Sequence, residues 1–226
     1  MGTPHISADI KEVAKSVILV NKSEQAKSIA DSYLTSRHLI NEIRGMLGYT
    51  GRYLEREISV FSVGIGIPSV AIYLNELLEV YGVKKVIYIS SCFAIQPDID
   101  EKDIVLASGA STDSNFMRHV FNGDFAPIAD FILLDKAFRL FEERKISSSV
   151  GLLLSVDDIS LAKNTLSDVW KRYGVLGVDM ATAAVYTLAA KFGAKSLSIT
   201  STKNDSLDDK IFEVISTVAL NTITSD

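Results

Sequence analysis

Cysteine is almost absent from this sequence, with one residue, Cys92, among 226. A single thiol excludes an internal disulfide framework and a cysteine-rich zinc site. The 4 prolines and 13 glycines exclude collagen-like and low-complexity classes. The charge balance is mildly acidic, with 23 Lys and Arg against 28 Asp and Glu. The chain therefore lacks the broad basic surface typical of nucleic-acid-binding proteins, and we expect no nucleic-acid partner.

Long uninterrupted apolar segments are also missing. Residues 58–75 carry no charge, which by length alone would suit a membrane helix. Gly64, Gly66 and Pro68 interrupt this segment, so it is better interpreted as strand, turn and helix. The first residues lack a basic region followed by an apolar run. We therefore expect no membrane association and a cytoplasmic location.

The remaining composition is that of a globular protein, with 47% hydrophobic and 23% charged residues. No repeat, linker or block of charge divides the chain, so we expect a single domain over residues 1–226. Short runs rich in Val, Ile and Leu alternate with segments of helical periodicity, which predicts an α/β fold with a largely parallel sheet. The predicted strands are 16–20, 58–63, 85–91, 104–108, 150–155, 176–179 and 196–201. The predicted helices are 23–34, 68–82, 181–192 and 207–223.

A glycine-containing turn between a strand and a helix is the most specific motif. Residues 62–72 read SVGIGIPSVAI and are followed by Glu76 and Leu77. The glycines permit a tight turn, and Pro68 suits the first turn of a helix. The whole string resembles the signature of the nucleoside phosphorylase family. Four further blocks resemble the hexameric bacterial purine nucleoside phosphorylases: TPHI at 3–6, RGMLGYTG at 44–51, DFAPIAD at 124–130 and YGVLGVDM at 173–180.

The resemblance implies a three-layer α/β/α fold with a central mixed sheet. It also implies phosphorolysis of purine nucleosides, with phosphate as co-substrate and no further cofactor. His5, His38 and His119 share no metal-ligand spacing with each other or with Cys92, so we expect no metal site. Two residues of each subunit would reach the neighbouring subunit's site in a hexamer built as a trimer of dimers. His5 matches the histidine that reaches the sugar 5′-hydroxyl, and Arg44 matches the arginine that reaches the phosphate.

Further positions agree with the family's site. Ser91 matches a phosphate-binding serine at a strand end, and Met180 matches a methionine under the ribose. Asp179, which precedes it, is a further candidate for a ribose hydroxyl.

Other positions depart from the family. In the phosphate site, Asn21 replaces a glycine, and Gln25 and Tyr88 replace arginines. In the nucleoside site, Ala181 replaces the ribose glutamate and Ile159 replaces the aromatic residue that stacks on the base. Asn204 replaces the catalytic acid, and an amide cannot donate that proton. A slip of one residue would place Asp205 there instead.

These departures lead to two hypotheses. Because general acid catalysis contributes roughly 10²–10⁴-fold, we expect phosphorolysis to be lost or severely impaired. The protein would then be a non-catalytic oligomeric module that binds a purine-like ligand or a protein partner. The alternative is an enzyme of nucleoside metabolism, either a phosphorylase or a nucleosidase, that acts on a changed purine-nucleoside-like substrate.

Overall fold

The computed structural model describes residues 2–99, 103–161, 167–202 and 209–225. Ten strands of the described chain form one sheet in the order β2-β3-β4-β1-β5-β10-β7-β8-β9-β6. Their bounds are β1 Ser16–Val20, β2 Thr35–Asn41, β3 Gly48–Tyr53, β4 Arg56–Ser62, β5 Lys85–Ser91, β6 Phe93–Ala94, β7 Ile104–Thr112, β8 Ser148–Ser155, β9 Val175–Asp179 and β10 Lys195–Ser201. β4, β1, β5 and β10 pair in parallel, as do β7, β8 and β9. Antiparallel pairs join β10 to β7 and form the two edges.

Helices cover both faces of this sheet. Their bounds are α1 Ser23–Tyr33, α2 Ile67–Glu79, α3 Phe116–Val120, α4 Phe131–Glu143, α5 Ile159–Leu161, α6 Ser167–Arg172, α7 Thr182–Lys191 and α8 Asp209–Ile223, with a 3-10 turn at Ile43–Gly45. In the parts of the chain that the structure describes, every helix is too short or too polar to cross a bilayer.

Alternating side chains of the central strands divide the core into two layers. On β1, Val17 and Leu19 pack in the cluster that includes α2 and α7. Ile18 and Val20 pack in the cluster that includes α1, α4 and α8. Strands covered on both faces are apolar nearly throughout, as in parallel sheets generally. The expected three-layer α/β/α architecture with a mixed, mostly parallel sheet is confirmed.

Seven strands were predicted, and the structure confirms all seven. β1 and β5 have the predicted bounds, and β7 continues to Thr112. The prediction missed β2, β3 and β6. β2 exposes its first five residues and buries only Ile40 and Asn41, so it lacks the apolar run on which the prediction relied. Helices α3 to α6 were also missed.

The turn between β4 and α2 has the predicted form. Gly64 and Gly66 adopt φ values of +74° and +92°, which an L side chain rarely adopts. A Cβ on Gly64 would lie 2.5 Å from the Ser69 hydroxyl oxygen. Pro68 lies in the first turn of α2, as expected. The glycines are therefore required by backbone conformation and by close packing.

Candidate functional site

The carboxyl ends of β5 and β9 meet because the chain crosses directly from β5 to β6. Cys92 alone separates these two strands, and β6 pairs antiparallel with β9 through Phe93 and Val178. This crossing brings Asp179, at the end of β9, into electrostatic range of Tyr88 and Cys92. The loops that follow β1, β4, β5 and β9 form the candidate site, as is usual for strand ends in α/β proteins.

A buried neutral pair lies where the resemblance expects a phosphate arginine. Tyr88 is 2% exposed, and its hydroxyl donates a hydrogen bond to Asn21 Oδ1 at 2.6 Å. Burial and the nearby charge of Asp179 raise the pKa of Tyr88, so the phenol is uncharged. Asn21 and Tyr88 thus stabilise each other instead of presenting a cation.

The second substituted arginine position stabilises a helix terminus. The backbone N–H of Lys22 donates to Gln25 Oε1 at 3.0 Å, which satisfies one donor at the start of α1. Lys22 is the N-cap of α1, and Ser23 is its first residue. Its hydroxyl donates to the carbonyl oxygen of Gly45 at 2.5 Å. Gln25 is therefore a capping residue in this structure.

Arg44 is an exposed residue in a strained turn. Its φ is +59°, a left-handed conformation that is uncommon for residues other than glycine. The Ser23 hydroxyl, which also lies 3.0 Å from the Ser62 hydroxyl, fixes the following residue of this turn. The guanidinium is exposed and forms no ion pair with any residue that the structure describes. Arg44 is therefore an available cation near the loop that follows β1.

The end of β5 carries a serine and an unreactive thiol. Ser91 is half-buried and lies opposite Ser201 in the sheet register. Cys92 is buried, and the Thr200 hydroxyl donates to its Sγ at 3.4 Å. Burial raises the pKa of Cys92 to about 12, so the thiol is not a nucleophile near neutral pH.

Asp179 caps the helix that leads away from the site. Its carboxylate accepts hydrogen bonds from the Ser155 hydroxyl at 2.6 Å and from the Thr182 hydroxyl and N–H at 2.6 and 2.8 Å. Burial raises the pKa of Asp179, and these hydrogen bonds oppose the shift. Both oxygens are used inside the protein, so its assignment to a ribose hydroxyl stays a prediction. Met180 is half-buried and Ala181 is fully buried.

A small apolar cluster includes residues of β9. Ile159, the expected base-stacking position, packs with Phe93 and Trp170 against one small buried cluster. The predicted base position and two aromatic rings therefore pack against the same cluster. The sequence analysis missed Trp170, which lies three residues before the block at 173–180 and outside it.

The N-terminal histidine is bound to α2. His5 Nδ1 lies 2.6 Å from Glu76 Oε1, and the His5 ring meets the Tyr73 ring edge-on with centroids 6.0 Å apart. Arg44 acts electrostatically on Tyr73, so the two residues expected to reach a neighbour lie in one region. Asn204 and Asp205, the candidate acid positions, lie outside the described residues.

The three layers and the mixed, mostly parallel sheet define the class as an α/β protein. Residues 15–222 match the phosphorylase superfamily, and the chain belongs to this family. It is 46% identical over 196 residues to a DeoD-type purine nucleoside phosphorylase of Geobacillus kaustophilus, covering 86% of this chain and 83% of that protein. It is 44% identical to one of Clostridium novyi, covering 86% and 84%.

Solved structures agree with this assignment. The crystal structure of uridine phosphorylase from Vibrio fischeri matches with a TM-score of 0.88 at 25% identity, covering 98% of this chain and 97% of that chain.

These findings overturn the interpretation of the chain as a non-catalytic module. Relatives of 44–46% identity over most of the chain carry the name of an enzyme, which supports an active enzyme and favours the alternative hypothesis. The earlier interpretation was wrong because it equated each substituted position with a lost function. Tyr88 and Gln25 show that a substituted position can be filled by groups with new partners.

Proposed function

We propose that the protein is an enzyme of nucleoside metabolism that cleaves the N-glycosidic bond of a purine-nucleoside-like substrate with phosphate. The observation that carries this proposal is the 44–46% identity, over most of both chains, to proteins named purine nucleoside phosphorylases. The exposed, unpaired guanidinium of Arg44 supports phosphate as the co-substrate, since arginine binds phosphate through paired hydrogen bonds.

The residues at the strand ends fit distinct parts of the substrate. We assign phosphate to Ser91 and to Arg44 of a neighbouring copy, with Asn21 and Gln25 at the rim. The sugar lies over Met180 and Ala181, and its 5′-hydroxyl meets His5 of that neighbour. The purine stands against Ile159.

The reaction forms one bond and breaks another. A phosphate oxygen attacks C1′ while the C1′–N9 bond breaks, and the purine leaves with the electron pair and takes up a proton. The neutral pair of Tyr88 and Asn21 adds no cation to the attacking phosphate. That pair favours a second candidate function, hydrolysis by a nucleosidase, in which water replaces phosphate. The donor of the proton is assigned to the segment with Asn204 and Asp205.

The working form that we propose is a single domain over residues 1–226, assembled as a cytoplasmic homohexamer without nucleic acid. Large exposed apolar side chains support self-association, because such patches on soluble proteins mark interaction sites. Ile128 is 66% exposed and Phe131 is 72% exposed. Ile128 and Leu152 both lie beside Gly109, and Phe131 begins α4 three residues after Ile128.

The test measures purine release from inosine, adenosine and guanosine, with and without phosphate. We expect release that requires phosphate, yields ribose 1-phosphate and exceeds about 1 s⁻¹. Arg44→Gln is expected to lower kcat/KM for phosphate by about tenfold or more, the effect of losing a charge-assisted contact. Arg139→Gln, which removes an exposed ion pair with Asp135, is the matched control.

Each other outcome has a defined meaning. Release that is independent of phosphate and yields free ribose would identify a nucleosidase. No release from any of the three nucleosides at micromolar protein would overturn the proposal.

A further inference from the structure

Glu76 closes the recognised motif, and the site described so far gives it no role. It lies on α2 and holds the N-terminal segment at three points. Its Oε1 lies 2.6 Å from His5 Nδ1, and its Oε2 accepts hydrogen bonds from the Thr3 hydroxyl and, at 3.3 Å, from the His5 N–H. The Glu76 side chain is 15% exposed and that of His5 25%. Glu76 therefore fixes both the backbone and the ring of His5.

This contact determines which ring nitrogen carries the proton. A carboxylate only accepts hydrogen bonds, so Nδ1 of His5 donates to Glu76. In the neutral imidazole, Nε2 is then an acceptor. Nε2 has no hydrogen-bond partner in the described chain. The edge-on contact with Tyr73, which is itself buried, limits rotation of the ring. His5 thus presents one acceptor atom in a fixed direction.

The helix that carries Glu76 is rigidly held. Leu74, Leu77 and Leu78 of α2 are buried in the core, and α2 packs on α7. A group placed on a packed helix is located more precisely than one on a loop. The N-terminal segment gains the same precision because Ile6 is fully buried and its N–H donates to the Thr3 hydroxyl at 3.2 Å.

We propose that Glu76 is a positioning residue that holds His5 as the Nδ1–H tautomer, so that Nε2 accepts a hydrogen bond from a sugar hydroxyl of a nucleoside bound by a neighbouring copy. This inference rests on the proposed function. Glutamate suits the role because both of its oxygens accept. A glutamine at this position would direct an N–H₂ group at one of three donors.

The test compares Glu76→Gln with Glu79→Gln. Glu79 lies one turn further along α2 and is exposed, and the hydrogen bonds and ion pair of His5 found in the described chain go to Glu76. We measure kcat and KM for inosine and for 5′-deoxyinosine, which lacks the hydroxyl expected to meet His5. Glu76→Gln is expected to lower kcat/KM for inosine by about five- to tenfold, the effect of one hydrogen bond, and to leave 5′-deoxyinosine within about twofold. Glu79→Gln is expected to change neither.

A second measurement does not depend on activity. The ¹⁵N spectrum of the His5 ring is expected to show the Nδ1–H tautomer in the unmodified protein and in Glu79→Gln, and a shift toward Nε2–H in Glu76→Gln. An Nε2–H tautomer in the unmodified protein would overturn the positioning role. So would equal losses on both nucleosides, which indicate a general structural effect. If the unmodified protein cleaves neither nucleoside, the proposed function fails, and the ring spectrum still decides whether Glu76 sets the tautomer.

Discussion

Tyr88 illustrates how one side chain changes the electrostatics of a site. Its phenol is buried, uncharged and bonded to Asn21. Burying a hydroxyl without a partner costs more than the bond itself contributes, so each member of the pair depends on the other. The loop after β1 is therefore fixed by a neutral hydrogen bond, and its positive charge is the exposed Lys22.

Tyr88→Phe removes the hydroxyl and leaves Asn21 Oδ1 without this donor. We expect the free energy of unfolding to fall by about 1 kcal/mol, as measured by urea denaturation. Tyr173→Phe is the control, because Tyr173 is 74% exposed and no hydrogen bond of its hydroxyl is found in the described chain. Equal effects of the two substitutions would contradict the assigned role of the buried bond.

At the scale of single elements, two aspartates cap helices in different surroundings. Asp179 is 1% exposed and accepts from Ser155, Thr182 and the N–H of Ala181. Asp130 is the N-cap of α4, where its partly exposed side chain accepts from the N–H of Leu133 at 3.0 Å. The buried cap satisfies more donors, none of which water can reach.

Asp179→Ala is expected to cost more stability than Asp130→Ala. We expect about 3 kcal/mol for the buried cap, which leaves several donors unpaired, and about 1 kcal/mol for the exposed cap. Thermal and urea unfolding of both variants measure the difference. An Asp179→Ala variant as stable as Asp130→Ala would refute the argument from burial.

For the whole molecule, the exposed apolar side chains of Ile128, Phe131 and Leu152 are a feature that a single protomer leaves unexplained. Closed symmetric assemblies are the common outcome when such a patch is self-complementary. His5 and Arg44 are distant from these side chains in sequence. His5 is bound to α2, and Arg44 lies in the turn after β2. A hexamer built as a trimer of dimers would use both regions.

Phe131→Asp is expected to reduce the assembly to smaller species. Light scattering should give about six times the 24.7 kDa protomer mass for the unmodified protein and a lower mass for the variant. Leu54, in the turn between β3 and β4, is about as exposed as Phe131. Leu54→Asp should therefore leave the mass unchanged. A monomer of 24.7 kDa in the unmodified protein at micromolar concentration would contradict the proposed assembly.

Local pattern alone determined the central strands, the turn at Gly64 and the family. A strand covered on both faces needs apolar residues, and a position of positive φ favours glycine, whatever the rest of the fold is. The edge strands β2 and β6 could not be predicted in this way, because their pairing comes from a neighbour and not from their own residues. The site was limited in the same way. The sequence matched Tyr88, Gln25 and Glu76 to positions of family motifs, but it did not give their contacts.

Only the tertiary structure decided what those residues contact. Tyr88 bonds to Asn21 across 67 positions of sequence, and Glu76 holds His5 across 71. Asp179 precedes a methionine in the motif, yet its carboxylate accepts a hydrogen bond from Ser155 on the neighbouring strand β8. A residue type specifies which hydrogen bonds are possible, whereas burial and the path of the chain determine which of them form. For this reason the sequence motifs were enough to indicate the family, whereas the packing of β5, β9 and α2 determined the contacts within the candidate site.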